Sequence, residues 1–229
     1  MFYFDEYYIM LVLPALVLSL IAQGVVQAAF SKYSKVRNTR GITGADAAAM
    51  ILRKNDIRDV RIEMASGRLS DHYDPRQKVL RLSSDVHNGS SVAAVGVAAH
   101  EVGHALQHSS SYAPLALRGA LVPTANIGSN LGPIMAIVGL ASGIDILVNL
   151  GIILFSAAVL FCIITLPVEL NASRRAIIEI ERGEILGRSE LPGARKVLRA
   201  AAMTYLASVI MAIANLARLV LLSRGRRRR

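Results

Sequence analysis

Two histidines and a glutamate in the middle of the chain have the residue types and spacing of a metal-dependent hydrolase. His100, Glu101 and His104 form the pattern H-E-x-x-H. On an α-helix, residues four positions apart share a face, so the imidazoles of His100 and His104 can bind one metal ion while Glu101 lies beside it. With 5 His among 229 residues, chance would give this pattern roughly 0.004 times. We therefore interpret it as a metal site rather than as the polar side of a core helix.

These residue types point to zinc chemistry. Neutral imidazole suits Zn²⁺, and a catalytic site holds three protein ligands and leaves the fourth position to water. Bound zinc lowers the pKa of that water to about 7. Glu101 would act as general base, accepting a proton from the water and passing it to the leaving amine. The predicted cofactor is one zinc ion per chain.

The composition is typical of a membrane protein. Hydrophobic residues make up 53% of the chain, and the mean hydropathy is +0.45. The net charge of +10 does not indicate a nucleic-acid partner, because only 5% of the residues are aromatic and the basic residues lie beside apolar runs. They are better interpreted as charge flanking a lipid bilayer. The single cysteine, Cys162, excludes a disulfide within the chain.

The order of apolar and polar segments predicts a mainly α membrane protein, α+β overall, with three to four transmembrane helices and a small cytoplasmic domain. Residues 9–30 contain no charge and extend about 33 Å as a helix, enough to cross a bilayer. The predicted segments are an N-terminal anchor (1–30), a soluble domain (31–118), a transmembrane hairpin turning at 142–145 (119–168), a cytoplasmic segment (169–198), and a fourth apolar helix with a basic tail (199–229).

Basic clusters set the predicted orientation. Acidic Asp5 and Glu6 precede the first apolar segment, so it is predicted to remain as an anchor rather than to be cleaved. Four basic residues follow that segment, and four more follow the hairpin: Lys32, Lys35, Arg37 and Arg40, then Arg174, Arg175, Arg182 and Arg188. By the positive-inside rule, both clusters predict a multi-pass protein of the cytoplasmic membrane whose active site faces the cytoplasm.

The fourth apolar segment is the shortest. Residues 200–217 lie between Arg199 and Arg218, and 18 residues are close to the lower limit for a span. We favour a spanning helix over one that lies in the membrane interface. Its basic tail, Arg224 and 226–229, is predicted to be solvated or to bind lipid headgroups.

The soluble domain is predicted to combine helices with short strands. Thr43 can cap a helix that continues to residue 54, with Asp46 in its first turn. Residues 59–64 and 78–82 have strand character and are separated by a turn-rich segment, 65–76. Gly89, Ser90 and Ser91 precede the helix with the metal motif. The face away from its histidines is predicted to be buried and carries Val92, Val95, Ala99, Val102 and Leu106.

A third metal ligand must come from elsewhere in the chain. A third histidine six residues after His104 is excluded, because position 110 is serine. Glu169 is the best candidate, since it ends an apolar run just after Pro167, where an uncompensated carboxylate is costly. The alternative for Glu169 is an ion pair with an arginine at the membrane surface. The later glutamates are predicted to be solvated: Glu179, Glu181, Glu184 and Glu190.

Further polar residues are candidates for contact with the substrate or the transition state. Ser173 lies one turn after Glu169, and Arg174 and Arg175 follow it, close enough to orient the carboxylate or to bind an oxyanion. The other candidates are His108, His72 and Tyr73. His108 is explained equally well as an exposed histidine at a helix end, and His72 and Tyr73 as residues of a turn. His87 is predicted to lie in a loop.

Four stretches together resemble the YugP-like membrane zinc metallopeptidases of bacteria, and more distantly the HtpX-type integral-membrane proteases. They are residues 71–75, 97–107, 167–176 and 194–198. The resemblance implies a zincin-like, gluzincin-type domain with zinc bound by His100, His104 and Glu169 and with Glu101 catalytic. One position differs, because Ser173 stands where the HtpX-type motif has aspartate.

The favoured interpretation is an integral-membrane zinc endopeptidase that cuts peptide bonds near the cytoplasmic membrane surface. Its expected partners are the bilayer and a peptide or protein substrate associated with the membrane. The alternatives are a proteolytically weak zinc-binding adaptor and a zinc hydrolase for a non-peptide amide or ester. The intact Glu101 favours an enzyme, because a structural zinc site needs no base and usually closes its fourth position with a protein ligand.

Overall fold

The computed structural model describes residues 5–67 and 70–227, most of which are helical. Four helices are long and apolar enough to cross a membrane: Tyr8–Tyr33, Ala113–Ser142, Asp145–Arg182 and Leu191–Arg226. The protein is thus a mainly α membrane protein with a small sheet, as predicted from the sequence. Because the fourth apolar segment forms one long helix, the described residues contain four candidate spans rather than three.

The elements follow one another along the chain with short connections. A π-helical turn, Tyr8–Val12, leads into the first helix. The helices are α1 (Leu13–Tyr33), α2 (Gly44–Lys54), α3 (Ser84–His87), α4 (Val92–Ser109), α5 (Ala113–Ser142), α6 (Asp145–Arg182) and α7 (Leu191–Arg227). The strands are β1 (Arg61–Ala65), β2 (His72–Asp74) and β3 (Val79–Ser83). His87, predicted in a loop, instead ends the short helix α3 because Asn88 N–H closes that turn on Ser84 O.

The chain divides into two compact units. The first, the membrane unit, comprises residues 5–23, 116–167 and 204–227. Here α5 and α6 form the predicted helical hairpin, which turns at Gly143 with φ of +87°. Gly128 and Gly132 lie directly against the backbone of α6 at Leu154 and Phe155. Glycine is required for such close approach, because a side chain at either position would separate the two helices.

Two arginines of α7 hold its C-terminal end within the membrane unit. Arg218 pairs with Asp5 at 2.6 Å, and Arg226 donates to the carbonyls of Gly139 and Leu140 at the end of α5. Arg226 is therefore bonded within the protein rather than simply solvated: its guanidinium adds to Gly139 O, which already accepts from Gly143 N–H, and to Leu140 O. Whether the tail binds lipid headgroups stays a prediction. Arg228 and Arg229 lie outside the described residues.

The second unit, the soluble unit, comprises residues 24–115 and 168–203. Its sheet has the order β1-β3-β2, with β1 parallel and β2 antiparallel to β3. The core between sheet and helices is apolar and fully buried at Ile51, Leu80, Leu82, Val95, Val102 and Ile180. The predicted strands are present, but β2 lies in the segment predicted as a turn. Three residues are too few for a strand pattern, and β2 exists because it pairs with β3.

Helix α2 begins with the predicted cap. Thr43 Oγ1 accepts from Asp46 N–H at 3.1 Å, and the Asp46 carboxylate accepts from Thr43 N–H at 3.1 Å. The hydrogen bonds from the Thr43 hydroxyl and backbone hold the pKa of Asp46 below its ordinary value of 3.8. Because the folded pKa is the lower one, the cap stabilises the helix above pH 3.8 and loses this effect as pH falls through the folded pKa.

We therefore expect Asp46→Asn to weaken α2 by about 1 kcal/mol at neutral pH and by much less near pH ~3. Hydrogen exchange of the amides in the first turn of α2 measures the difference. Asp56→Asn, at an exposed aspartate just after the helix, is the control. An equal loss of α2 stability at both pH values would contradict the role of the ionised Asp46 carboxylate in the cap.

Candidate metal centre

Helix α4 presents the metal motif because its opposite face is buried. Ser91 caps it, with Oγ accepting from Ala94 N–H at 3.1 Å. The face predicted to be apolar is indeed buried, at Val92, Val95, Ala99, Val102 and Leu106. This packing fixes the rotation of the helix about its axis. The His100 and His104 rings consequently lie next to each other, with centroids 4.9 Å apart and planes at 82°.

The structure brings Glu169 of α6 to these two rings, although 65 residues separate it from His104. Glu169 Oε2 lies 3.2 Å from His100 Nε2 and 3.5 Å from His104 Nε2. Only 2% of Glu169 is exposed. Zinc bonds of about 2.1 Å in tetrahedral geometry place neighbouring ligand atoms about 3.4 Å apart. Both distances to Glu169 Oε2 match this value, and the ligand atoms of the three residues all lie within 4.8 Å of one another, so they could hold one zinc ion.

Gln107 holds His104 in the orientation that a metal requires. Its amide Nε2 donates to Val168 O at 2.7 Å and to Asn171 Oδ1 at 3.0 Å. This leaves Gln107 Oε1 as an acceptor, 3.0 Å from His104 Nδ1. His104 therefore carries its proton on Nδ1 and points the lone pair of Nε2 towards Glu169. Sequence reasoning missed Gln107, although its position three residues after His104 on the helix was a usable signal.

Ser173 contacts His100 in the way that Gln107 contacts His104. Its Oγ lies 3.0 Å from His100 Nδ1, while His100 Nε2 faces Glu169. The serine thus occupies the place of an outer oxygen partner despite the difference from the HtpX-type motif. Outer partners of this kind fix the ring orientation and raise the basicity of a histidine ligand.

We expect Ser173→Ala to weaken zinc binding by about 10- to 100-fold, because His100 would lose its orienting oxygen. Ser173→Asp should restore the affinity, since a carboxylate can accept the same hydrogen bond. Competition with a coloured zinc chelator measures both. Ser109→Ala, which removes a hydroxyl bonded to Leu106 O of its own helix, should leave affinity unchanged. Equal affinity in Ser173→Ala and Ser109→Ala would refute the role of Ser173.

Glu101 lies next to His100 in sequence and is partly buried. Burial raises the pKa of its carboxyl, and the charges of His100 and His104 partly offset that rise. Burial of His104 acts to lower its pKa, but the hydrogen bond that the protonated ring donates to Glu169 and the charge of Glu101 outweigh burial, so the pKa is raised. The pKa values of Glu101 and His104 therefore both depend on the charge at this centre. A bound cation would favour ionised Glu101 and neutral His104.

The close contact between α4 and α6 depends on Gly103. A Cβ at this position would lie 2.5 Å from Ala172 O, closer than any stable contact. We expect Gly103→Ala to push the helices apart, lowering the free energy of unfolding by about 1–3 kcal/mol and weakening zinc binding.

Gly96→Ala is the matched control in the same helix. Its Cβ would meet Ala194 Cβ at 3.6 Å, an ordinary contact. Thermal unfolding in detergent and zinc titration compare the two variants. If Gly103→Ala behaves like Gly96→Ala, the close approach is not what positions Glu169.

No contact within the described part of the chain joins Arg174 or Arg175 to the ligand atoms. Arg175 Nη1 donates to Leu106 O and Ser110 Oγ, both at 3.0 Å, and its Nε donates to Asn171 Oδ1. Arg175 therefore binds polar groups at the C-terminal end of α4. Arg174 is exposed.

The remaining predicted residues lie on β2 and at the end of α4. Tyr73 Oη lies 2.9 Å from His108 Nδ1, and burial raises the pKa of Tyr73 to about 12. His72 Nδ1 lies 2.7 Å from Ser70 O. Among the described residues, no recorded contact joins these three side chains to the ligand atoms of the metal centre.

Two of the later glutamates are buried, so their prediction as solvated side chains was wrong. Glu179 accepts from Asn55 Nδ2 at 3.0 Å. Glu190 accepts from the N–H groups of Thr39 and Gly187, both at 2.7 Å. Asn55 and Thr39 are remote in sequence from these glutamates, which is why the local pattern did not reveal their burial. Glu181 and Glu184 are exposed, as predicted.

Comparison with known proteins is consistent with this centre. Residues 8–224 match the model of a family described as "Putative neutral zinc metallopeptidase". The chain is 47% identical over 215 residues to the "Putative membrane protease YugP" of Bacillus subtilis (strain 168), covering 94% of this chain and 96% of that protein. No solved structure matches it. Because both matches span most of the chain, the chain belongs to this family, and His100, His104 and Glu169 are grouped so that they could hold a metal ion.

Proposed function

We propose that the protein is a zinc-dependent endopeptidase that hydrolyses peptide bonds near the cytoplasmic surface of the cell membrane. The observation that carries the proposal is the grouping of three ligand atoms. His100 Nε2 and His104 Nε2 lie 3.2 and 3.5 Å from Glu169 Oε2. Two imidazoles and one carboxylate form the His₂Glu ligand set of catalytic zinc sites, which leaves a position open for water.

His100 Nε2, His104 Nε2 and Glu169 Oε2 would hold the ion. When bound, zinc supplies a Lewis acid and a water molecule with a pKa near 7. Glu101 would act as the base: its carboxylate would accept a proton from the water that adds to the peptide carbonyl and return it to the nitrogen that leaves as the C–N bond breaks. Ser173 and Gln107 keep the two imidazoles in the orientation that this requires.

The proposed substrate is a polypeptide associated with the membrane. Glu169 follows Pro167 and the apolar part of α6 along the chain, so one ligand is supplied by the end of a candidate span. The basic residues after α1 support placing the soluble unit in the cytoplasm. Labelling with an impermeant thiol reagent tests this orientation: in a Cys162→Ala background, Lys35→Cys should be protected in intact cells, and labelling there would contradict it.

Hydrolysis itself is tested with purified protein and an unfolded protein substrate such as casein. A chelator should abolish cleavage, stoichiometric zinc should restore it, and mass spectrometry should show internal cleavage sites. Bound zinc without cleavage would favour the adaptor instead. Cleavage of ester or small amide substrates alone would favour a non-peptide hydrolase.

A further inference from the structure

The membrane unit has a groove on its surface that is polar in a region expected to face lipid. It has a volume of about 300 Å³ and is lined by α1, α6 and α7. Its polar lining residues are Ser19, Gln23, Thr204, Ser208 and Asn215. On α7, the lining positions 204, 208, 211 and 215 follow spacings of four, three and four, which place them on one face. We call this feature the α1/α7 groove.

Most groups in the α1/α7 groove are bonded within their own helix. Ser19 Oγ donates to Ala15 O at 2.9 Å, and Ser208 Oγ donates to Thr204 O at 2.9 Å. Gln23 is different, because its side chain is exposed and has no recorded hydrogen bond within the described part of the chain. An amide group in hydrocarbon has no water to bind and needs a partner.

Helix α5 exposes a second polar strip on another face of the same unit. Asn126 and Asn130 are both exposed and lie one turn apart. Asn130 Nδ2 donates to Asn126 O at 2.8 Å. The side-chain amide of Asn126, like that of Gln23, has no recorded hydrogen bond to any described residue.

The two polar strips lie at matching depths along their helices. Gln23 is nine residues from Lys32, which corresponds to about 13.5 Å of helix, and Asn126 is eight residues from Arg118, about 12 Å. Ser19 and Asn130 are thirteen and twelve residues from the same two basic residues, or about 19.5 and 18 Å. Because basic residues mark the cytoplasmic ends of both helices, each pair would lie at the same level in a bilayer.

We propose that α5 of one copy of this chain packs into the α1/α7 groove of a second copy, with the side-chain amides of Gln23 and Asn126 bonded to each other. The small lining residues Ala207 and Ala212 permit close approach of the incoming helix. Lipid tails offer no hydrogen-bonding groups, whereas the chain itself supplies them at the required depth. Because the two surfaces differ, the contact is head-to-tail and can continue to a third copy.

Disulfide cross-linking in membranes tests the contact. In a Cys162→Ala background, full-length chains carrying Gln23→Cys are co-expressed with differently tagged chains carrying Asn126→Cys and then oxidised. We expect a mixed dimer, and a ladder of higher species when one chain carries both changes. The control pair is Val25→Cys with Ile127→Cys, at neighbouring positions that are 39% and 53% exposed. Yields equal to the control, dimers of Gln23→Cys alone, or a link to a different protein would each overturn the proposal.

A second measurement uses fluorescence energy transfer between labelled chains in phosphatidylethanolamine–phosphatidylglycerol vesicles. Gln23→Leu and Asn126→Leu should each weaken association by about 3- to 20-fold. The double variant should be no weaker than either single one, because all three lose the same bond. Leucine is compatible with lipid, so these variants should fold. Unchanged or tighter association in the single variants would refute the contact.

Discussion

Replacing Glu101 with glutamine is expected to reduce peptide hydrolysis by about 10²- to 10⁴-fold while zinc remains bound. The change keeps the size and shape of the side chain but removes its ability to accept a proton. Glu101 belongs to the same helix as His100 and His104, yet it is not one of the three residues whose ligand atoms converge. Its loss should therefore leave the metal site intact and remove only the base.

Two measurements on the same preparation separate these effects. Metal analysis should find about one zinc per chain in both wild type and Glu101→Gln, and casein hydrolysis should differ between them. Glu184→Gln, at a side chain that is 79% exposed, is the control and should match wild type in both. Full hydrolysis by zinc-loaded Glu101→Gln would show that another group acts as base.

Replacing Glu169 with glutamine is expected to have the opposite signature, loss of the metal. A neutral amide oxygen is a poor zinc ligand, and the two histidines alone do not complete a catalytic site. Because Glu169 is a direct ligand in this account, its replacement should weaken binding by more than the 10- to 100-fold typical of outer partners. Activity should fall with zinc content.

The affinity is measured by competition with a chelator, and gel filtration in detergent checks that the variant is folded. Glu181→Gln changes another glutamate of α6, 59% exposed and paired with Arg195, and should bind zinc like wild type. If Glu169→Gln retains wild-type affinity, the carboxylate next to the two imidazoles is not a ligand, and the gluzincin interpretation fails.

The local features of the fold were predictable because their signals lie within a few residues. The Thr43 cap, the Ser91 cap and the buried face of α4 each follow from hydrogen bonding or apolar spacing within one helix. The turn between α5 and α6 was visible as a polar break between two apolar runs. Glu169 was predictable as well, because a carboxylate directly after an apolar span is costly without a partner.

Features that depend on tertiary contacts were not predictable from the local pattern. Strand β2 is three residues long and exists only through its pairing with β3. Glu179 and Glu190 resemble solvated glutamates in sequence, but they are bonded by groups 124 and 151 residues away. Arg175 resembles a residue that contacts substrate, but it holds the end of α4. In each case the partner decides the role, and for Glu179, Glu190 and Arg175 a partner lies 124, 151 and 69 residues away.

In the proposed centre, His100, His104 and Glu169 bind one zinc ion and leave a position open to solvent. Anomalous diffraction at the zinc absorption edge, from crystals of the zinc-loaded protein, tests it most directly. We expect one strong peak about 2.0–2.2 Å from both Nε2 atoms and from a Glu169 oxygen, with water as the fourth ligand. A peak at other residues, or a fourth protein ligand that closes the site, would contradict it.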